Sequence, residues 1–125
     1  QRLANVIRRC AGRPGLGWFA VVLRETGESV GDVVLQPAPF DDDPEIGWHF
    51  ERRAWGRGYA TEAARAALGY GFEEVGLPRV VAAVLPDNVR SRRVVEKLGM
   101  THLGKVMHGG LEHDLYEARK GPPGR

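Results

Sequence analysis

The sequence predicts an α/β domain built on a mixed sheet. The sheet is mostly antiparallel, with a parallel β-α-β unit at its centre. Three observations lead there. Short apolar runs in the first fifty residues are separated by turn residues, as in hairpin-linked strands. An alanine-rich pattern of helical period follows Gly58 and ends at Gly76 and Pro78. A continuous apolar run, Val80-Val81-Ala82-Ala83-Val84-Leu85, comes next, and a strand–helix–strand order favours a parallel pair.

Taken in order, residues 1–13 place Leu3, Val6, Ile7 and Cys10 at helical spacing and read as the end of a helix. Gly12, Pro14, Gly15 and Gly17 break it. Trp18 to Leu23 is a β-type run, Glu25-Thr26-Gly27-Glu28 a hairpin turn, and Val30 to Leu35 the returning strand. Pro37, Pro39, Asp41 to Asp43 and Pro44 form a loop. Its three aspartates read as a solvated turn, because consecutive side chains rarely converge on one metal ion. In the strand Glu45 to Phe50, Ile46, Trp48 and Phe50 share one face, and Glu45, Gly47 and His49 the other. Ala60, Ala64, Ala67, Leu68, Phe72 and Val75 then make a stripe that packs a helix on the sheet. Arg79 to Leu85 reads as a central strand buried on both faces. Asn88 caps a second helix that runs to about Leu98 and stops at Gly99. His102 to Val106 and Leu111 to Ala118 are strands joined at Gly109-Gly110. Residues 1–120 thus form one domain, and 121–125 a disordered tail.

Composition excludes several classes. The net charge of +2 in 125 residues is too small for a general nucleic-acid footprint, and no basic run is interleaved with aromatics. No apolar run reaches the length of a membrane span. Cys10 is the single cysteine, so no intrachain disulfide forms; this fits a reducing compartment, and a cytoplasmic location is expected. His102, His108 and His113 lack metal-ligand spacing, and no metal site is expected.

The chemistry concentrates at Trp55-Gly56-Arg57-Gly58-Tyr59-Ala60-Thr61-Glu62-Ala63. A strand that turns through glycines into a helix start can hold a phosphate on backbone N–H groups. The donors would be those of Arg57, Gly58, Tyr59, Ala60 and Thr61. Glycines alone serve equally as a flexible connection.

Three stretches together resemble the GCN5-related N-acetyltransferases (GNAT), and within them the branch of the ribosomal-protein N-terminal acetyltransferases. They are the segment from Trp55 to Ala63, the segment Pro86-Asp87-Asn88-Val89-Arg90-Ser91-Arg92-Arg93-Val94-Val95-Glu96-Lys97-Leu98-Gly99-Met100, and the closing pair of strands. The resemblance covers roughly residues 16 to 119. It implies acetyl-CoA as cofactor and acetyl transfer to a primary amine, a protein N-terminus or a small molecule, by direct attack in a ternary complex. The family's phosphate motif fits in two registers: Arg53, Gly56 and Gly58, or Trp55, Gly58 and Ala60. The second sets the amides of Arg57 to Thr61 at the helix start.

The resemblance further implies that the backbone of Trp48 to Phe50 pairs with the pantetheine arm, and that a bulge there splays this strand from the Val80–Leu85 strand. Asn88 and Ser91 would bind cofactor, with Ser91 donating to its sulfur. Val95 stands where many members carry a tyrosine general acid. Glu45 matches a strand carboxylate that serves as base, with His49 the other candidate on that face. Arg90, Arg93 and Lys97 either reach the cofactor's 3′-phosphate or are solvated. Family members carry a first strand and one or two helices before the Trp18 strand. Here that strand is expected to be missing, leaving an exposed edge, and a homodimer is one arrangement the sequence allows. A non-catalytic acyl-CoA-binding or interaction module is the alternative.

Overall fold

The computed structural model describes residues 3–9 and 16–121. Seven strands form one sheet: β1 (Leu3–Arg9), β2 (Gly17–Leu23), β3 (Ser29–Pro37), β4 (Pro44–Phe50), β5 (Arg79–Val84), β6 (Thr101–His108) and β7 (Leu111–Arg119). Helix α1 (Tyr59–Tyr70) continues into one wider π turn over Gly71–Val75, and α2 (Val89–Lys97) follows β5. The strand order is β1-β2-β3-β4-β5-β7-β6, with β4–β5 parallel and all other pairs antiparallel. The mixed sheet and its central β-α-β unit are as the sequence implies.

The expectation for the N-terminal segment is overturned. Residues 3–9 are not a helix remnant but strand β1, antiparallel to β2 from Leu3↔Leu23 to Arg9↔Trp18. The physical reason is that a short apolar run fits both periods, while the backbone groups on the free side of β2 demand partners. An N-terminal strand is therefore present, and the β2 edge is covered. Cys10 and residues 122–125, expected to lie in the tail, fall outside the described residues.

Alternation turns Phe19, Val21, Val33 and Leu35 of β2 and β3 to one face of the sheet, and Val30, at an irregularity in the β2–β3 register, joins them; there they meet Ile46, Val80, Ala82, Val84 and Tyr116. The helices cover this face. Small side chains let α1 approach closely: Ala63, Ala64 and Ala67 are fully buried beside Tyr59 and Leu68. The buried stripe is rotated by about one residue from the expected one, because Tyr59 enters the core at the first helical position while Ala60 and Phe72 are half-buried. The C-terminus of α2 is tied to α1 by Arg65, which donates from Nη2 to the Lys97 carbonyl at 2.9 Å.

The Asp41–Asp43 loop is not a solvated turn. Arg79 donates to Asp41 Oδ1 at 2.7 Å, to Asp43 Oδ2 at 3.1 Å and to Glu117 Oε1, binding the loop to β5 and β7. The hydrogen bond from Arg79, with a second from Arg119, holds the Glu117 carboxyl below its ordinary range. Burial opposes ionisation of Asp41, yet the Asp43 N–H and Arg79 together bring it below its ordinary range as well.

Candidate acetyl-coenzyme A cleft

Between β4 and β5 the sheet opens. Seven residue pairs join β3 to β4 and six join β5 to β7, but β4 meets β5 only at Glu45↔Val81. Beyond that rung the two parallel strands diverge toward their C-terminal ends, where open α/β sheets bind ligands. The gap does not arise from a bulge in β4 as the sequence suggested. The β3–β4 register runs unbroken from Pro37↔Pro44 to Gly31↔Phe50, and the β5–β7 register from Arg79↔Arg119 to Val84↔Asp114, so the gap lies between two regular half-sheets.

The ladder fixes which backbone groups face the gap. The Glu51 N–H donates to the Val30 carbonyl at 2.9 Å, which makes Gly31↔Phe50 a non-hydrogen-bonded pair. By alternation, the N–H and C=O of Trp48 and Phe50 point away from β3, toward β5. The Phe50 carbonyl is already engaged by the Trp55 indole N–H at 3.0 Å. A Cβ on Gly31 would collide with the His49 carbonyl and lie 2.7 Å from the Phe50 ring, so only glycine fits there.

The gap opens into a cleft of about 770 Å³ between the starts of α1 and α2. Trp48, Phe50, Gly58, Tyr59, Ala60, Thr61, Asn88 and Ser91 line it, so the structure brings these expected residues together. Gly58 is the N-cap of α1 with φ +80°, and Gly56 before it has φ +76°. The first intrahelical bond runs from the Glu62 N–H to the Gly58 carbonyl at 3.0 Å. The N–H groups of Arg57, Gly58, Tyr59, Ala60 and Thr61 have no acceptor among the described residues. Helix start and free donors coincide with the register Trp55, Gly58 and Ala60. Arg53 of the other register turns away to Glu51 (2.7 Å) and Glu28 (3.1 Å). The Arg57 side chain folds back onto the Arg53 carbonyl at 3.4 Å, leaving its amide as its contribution.

On the α2 side, Asn88 Oδ1 accepts the Ser91 N–H at 3.2 Å and caps the helix. Ser91 Oγ accepts the Trp48 indole N–H at 3.1 Å, across the gap. Val95 is fully buried in the core, so the helix offers no hydroxyl there. Arg90, Arg93 and Lys97 line the cleft, and no carboxylate lines it among the described residues. Arg90 is exposed, and its guanidinium stacks 3.8 Å from the centre of the Trp55 ring, with that of Arg52 at 5.1 Å.

Glu45 stands apart from the cleft. It is the β4 member of the rung where the gap closes, its side chain is on the face opposite Trp48, and it accepts from Gln36 Nε2 at 3.1 Å. His49, on the same side as Glu45, is exposed with a ring nitrogen 3.4 Å from Asp32. His102 and Lys105 both reach Asp114 Oδ1, at 3.0 and 2.7 Å. The hydrogen bond from Lys105 lowers the carboxyl of Asp114 and raises the ammonium of Lys105. Sequence reasoning missed the Trp48–Ser91 bond and the Arg90–Trp55 stack. Both join residues distant in the chain and leave no local signal.

Free amides at a helix start, a cationic rim and strand backbone facing a gap suit an elongated ligand with phosphates at one end. The chain belongs to the GNAT acetyltransferases: the family model described as Acetyltransferase (GNAT) domain matches residues 1–101. Its fold is shared, at 20% identity each, by a ribosomal-protein-S5-alanine acetyltransferase from Vibrio fischeri and a protein described as a putative ribosomal-protein-serine acetyltransferase from Vibrio cholerae. It is 41% identical over 86 residues to the uncharacterized N-acetyltransferase YnaD of Bacillus subtilis, covering 69% of this chain and 51% of that protein. An acetyltransferase structure from Agrobacterium tumefaciens superposes with a TM-score of 0.76 at 34% identity, covering 85% of this chain and 62% of that one. Mycobacterium smegmatis RimJ in complex with CoA-disulfide gives 0.72 at 27%, covering 83% and 53%. The chain thus spans about half the length of YnaD.

Proposed function

We propose that this domain transfers acetyl from acetyl-CoA to a primary amine by direct attack within a ternary complex. The observation that carries the reading is the continuity of the cleft: unpartnered amides at the start of α1 lead to the strand backbone of Trp48 and Phe50, and that backbone leads to Ser91. The RimJ complex with CoA-disulfide supports coenzyme A as the ligand.

In this reading the amides of Arg57 to Thr61 hold the pyrophosphate, with the helix dipole favouring its charge. Arg90, Arg93 and Lys97 keep the cleft positive. The backbone N–H and C=O of Trp48 and the N–H of Phe50 pair with the pantetheine amides, as an added strand would, and aim the thioester into the gap. A backbone N–H at the strand break polarises the carbonyl. The amine enters from the far face and must lose a proton to become a nucleophile. Glu45, directly or through water, takes that proton. The new C–N bond forms as the C–S bond breaks, and Ser91 donates a hydrogen bond to the departing sulfur. That sulfur leaves as thiolate and is protonated from solvent.

Protein N-termini and small amines such as polyamines are the acceptor classes to test. A spermidine N(1)-acetyltransferase of Escherichia coli is 36% identical over 53 residues, which motivates including polyamines. The experiment is calorimetric titration with coenzyme A, followed by thiol release from acetyl-CoA with a panel of amines and peptides. Binding with amine-dependent release is expected. Binding without release for any acceptor would favour an acyl-CoA-binding module, and no binding would sink both.

A further inference from the structure

Ser91 has one hydroxyl proton and two lone pairs, so its role depends on which way the hydroxyl is turned. A helical serine commonly donates back to the carbonyl three or four residues earlier, which removes it from chemistry. No such bond forms here, and the Ser91 O–H has no acceptor among the described residues. Instead its oxygen accepts the indole N–H of Trp48 at 3.1 Å. An indole nitrogen only donates, so this contact occupies a lone pair and obliges the hydroxyl proton to point elsewhere. The Ser91 backbone is fixed as well, because its N–H is held by Asn88 Oδ1 at 3.2 Å. Both residues line the cleft, and Trp48 is held in turn by its half-buried ring packed against the core.

We propose that Trp48 is a positioning residue: its indole N–H, reaching across the strand gap, locks Ser91 as a donor aimed at the sulfur of coenzyme A. The inference rests on the reading of the cleft given above. A hydroxyl held in this way needs no reorientation when charge develops on sulfur, and such pre-set donors are the effective ones. Trp48 itself touches no reacting atom in this scheme. It acts only through Ser91, and this sets it apart from a residue that merely fills space.

The test needs no acceptor, since a donor aimed at sulfur favours the thiolate of bound coenzyme A. The thiolate fraction of bound coenzyme A is read across pH by ultraviolet absorbance and by alkylation rate, for wild type, Trp48→Phe, Ser91→Ala and the double variant. Either single change is expected to lower the thiolate fraction at a given pH about tenfold, the size expected when a charge-assisted hydrogen bond is lost. The double variant is expected to match Ser91→Ala alone, and Ser91→Thr to retain the wild-type value. Trp48→Leu, a second removal of the donor, should repeat the Trp48→Phe result, and circular dichroism checks the fold of each variant. An unchanged thiolate fraction in a folded Trp48 variant overturns the proposal. So does an effect of Trp48→Phe that persists in the Ser91→Ala background. Failure of the wild type to bind coenzyme A would instead remove the reading of the cleft, and this inference with it.

Discussion

Gly58 holds φ at +80° at the point where the loop becomes α1, and nothing lies within 4 Å of where its Cβ would sit. Replacing it with alanine therefore tests backbone conformation free of collision. Gly58→Ala is expected to cost about 1–2 kcal/mol of stability, read as a lower melting temperature. Coenzyme A affinity, read by calorimetry, should fall as well, because the amides that follow lose their alignment. This residue was legible in the sequence because glycine announces a backbone constraint by itself. The same holds for Asn88, whose cap follows from its type and place before a helical pattern. Trp48 and Ser91 were legible singly but not as a pair. Their bond joins positions 43 residues apart and depends on how α2 sits over the gap, which no local pattern encodes.

Among the elements, the loop between β3 and β4 is anchored by one side chain. Arg79 is 15% exposed and meets Asp41 and Glu117, which are 15% and 14% exposed. Arg79→Met leaves Asp41 without its cation and Glu117 with Arg119 alone, and is expected to destabilise the domain by about 3 kcal/mol, measured by urea unfolding. The sign of the pH effect follows from the lowered carboxyls of Asp41 and Glu117, whose ordinary values are 3.8 and 4.5. Their contribution is complete above those values and is lost as pH falls through the lowered native ones. Wild-type stability should thus drop steeply on the acid side of pH 4, whereas Arg79→Met should show a shallower acid limb. Helices with both a start signal and a stop signal, α1 and α2, were legible from sequence to within a residue or so. The strand over Leu3–Arg9 was not, because its apolar residues fit two periods and its real determinant is the neighbouring edge of β2. The role of the aspartates escaped for a related reason: their partner lies 36 and 38 residues away in the chain.

At the level of the whole molecule, a net charge of +2 conceals a polar distribution of function. The cleft gathers Arg90, Arg93 and Lys97 with no carboxylate among the described residues, so the field there is positive even though the surface is nearly balanced. Coenzyme A binding should weaken as salt rises from 50 to 500 mM, on the order of tenfold, by counterion screening of exposed charges. Arg90→Ala should weaken binding by about two- to fivefold and flatten that salt dependence, since it removes both a charge and the stack on Trp55. Titration calorimetry at several salt concentrations reads both effects. Among the described residues no helix is long and apolar enough to cross a membrane.

The single rung between β4 and β5 also governs how the molecule moves. Two well-laddered half-sheets, β1 to β4 and β5 to β7, are joined at this seam by one pair of residues. Such a seam concentrates compliance, and each half should breathe as its own cooperative unit. In amide exchange, the N–H groups of Trp48 and Phe50 should swap with solvent far faster than those deep in β3 or β7, and saturating coenzyme A should slow them more than any others in the sheet. Cargo would then act as the missing rungs, so that the loaded domain vibrates as one plate where the empty one behaves as two leaves on a hinge.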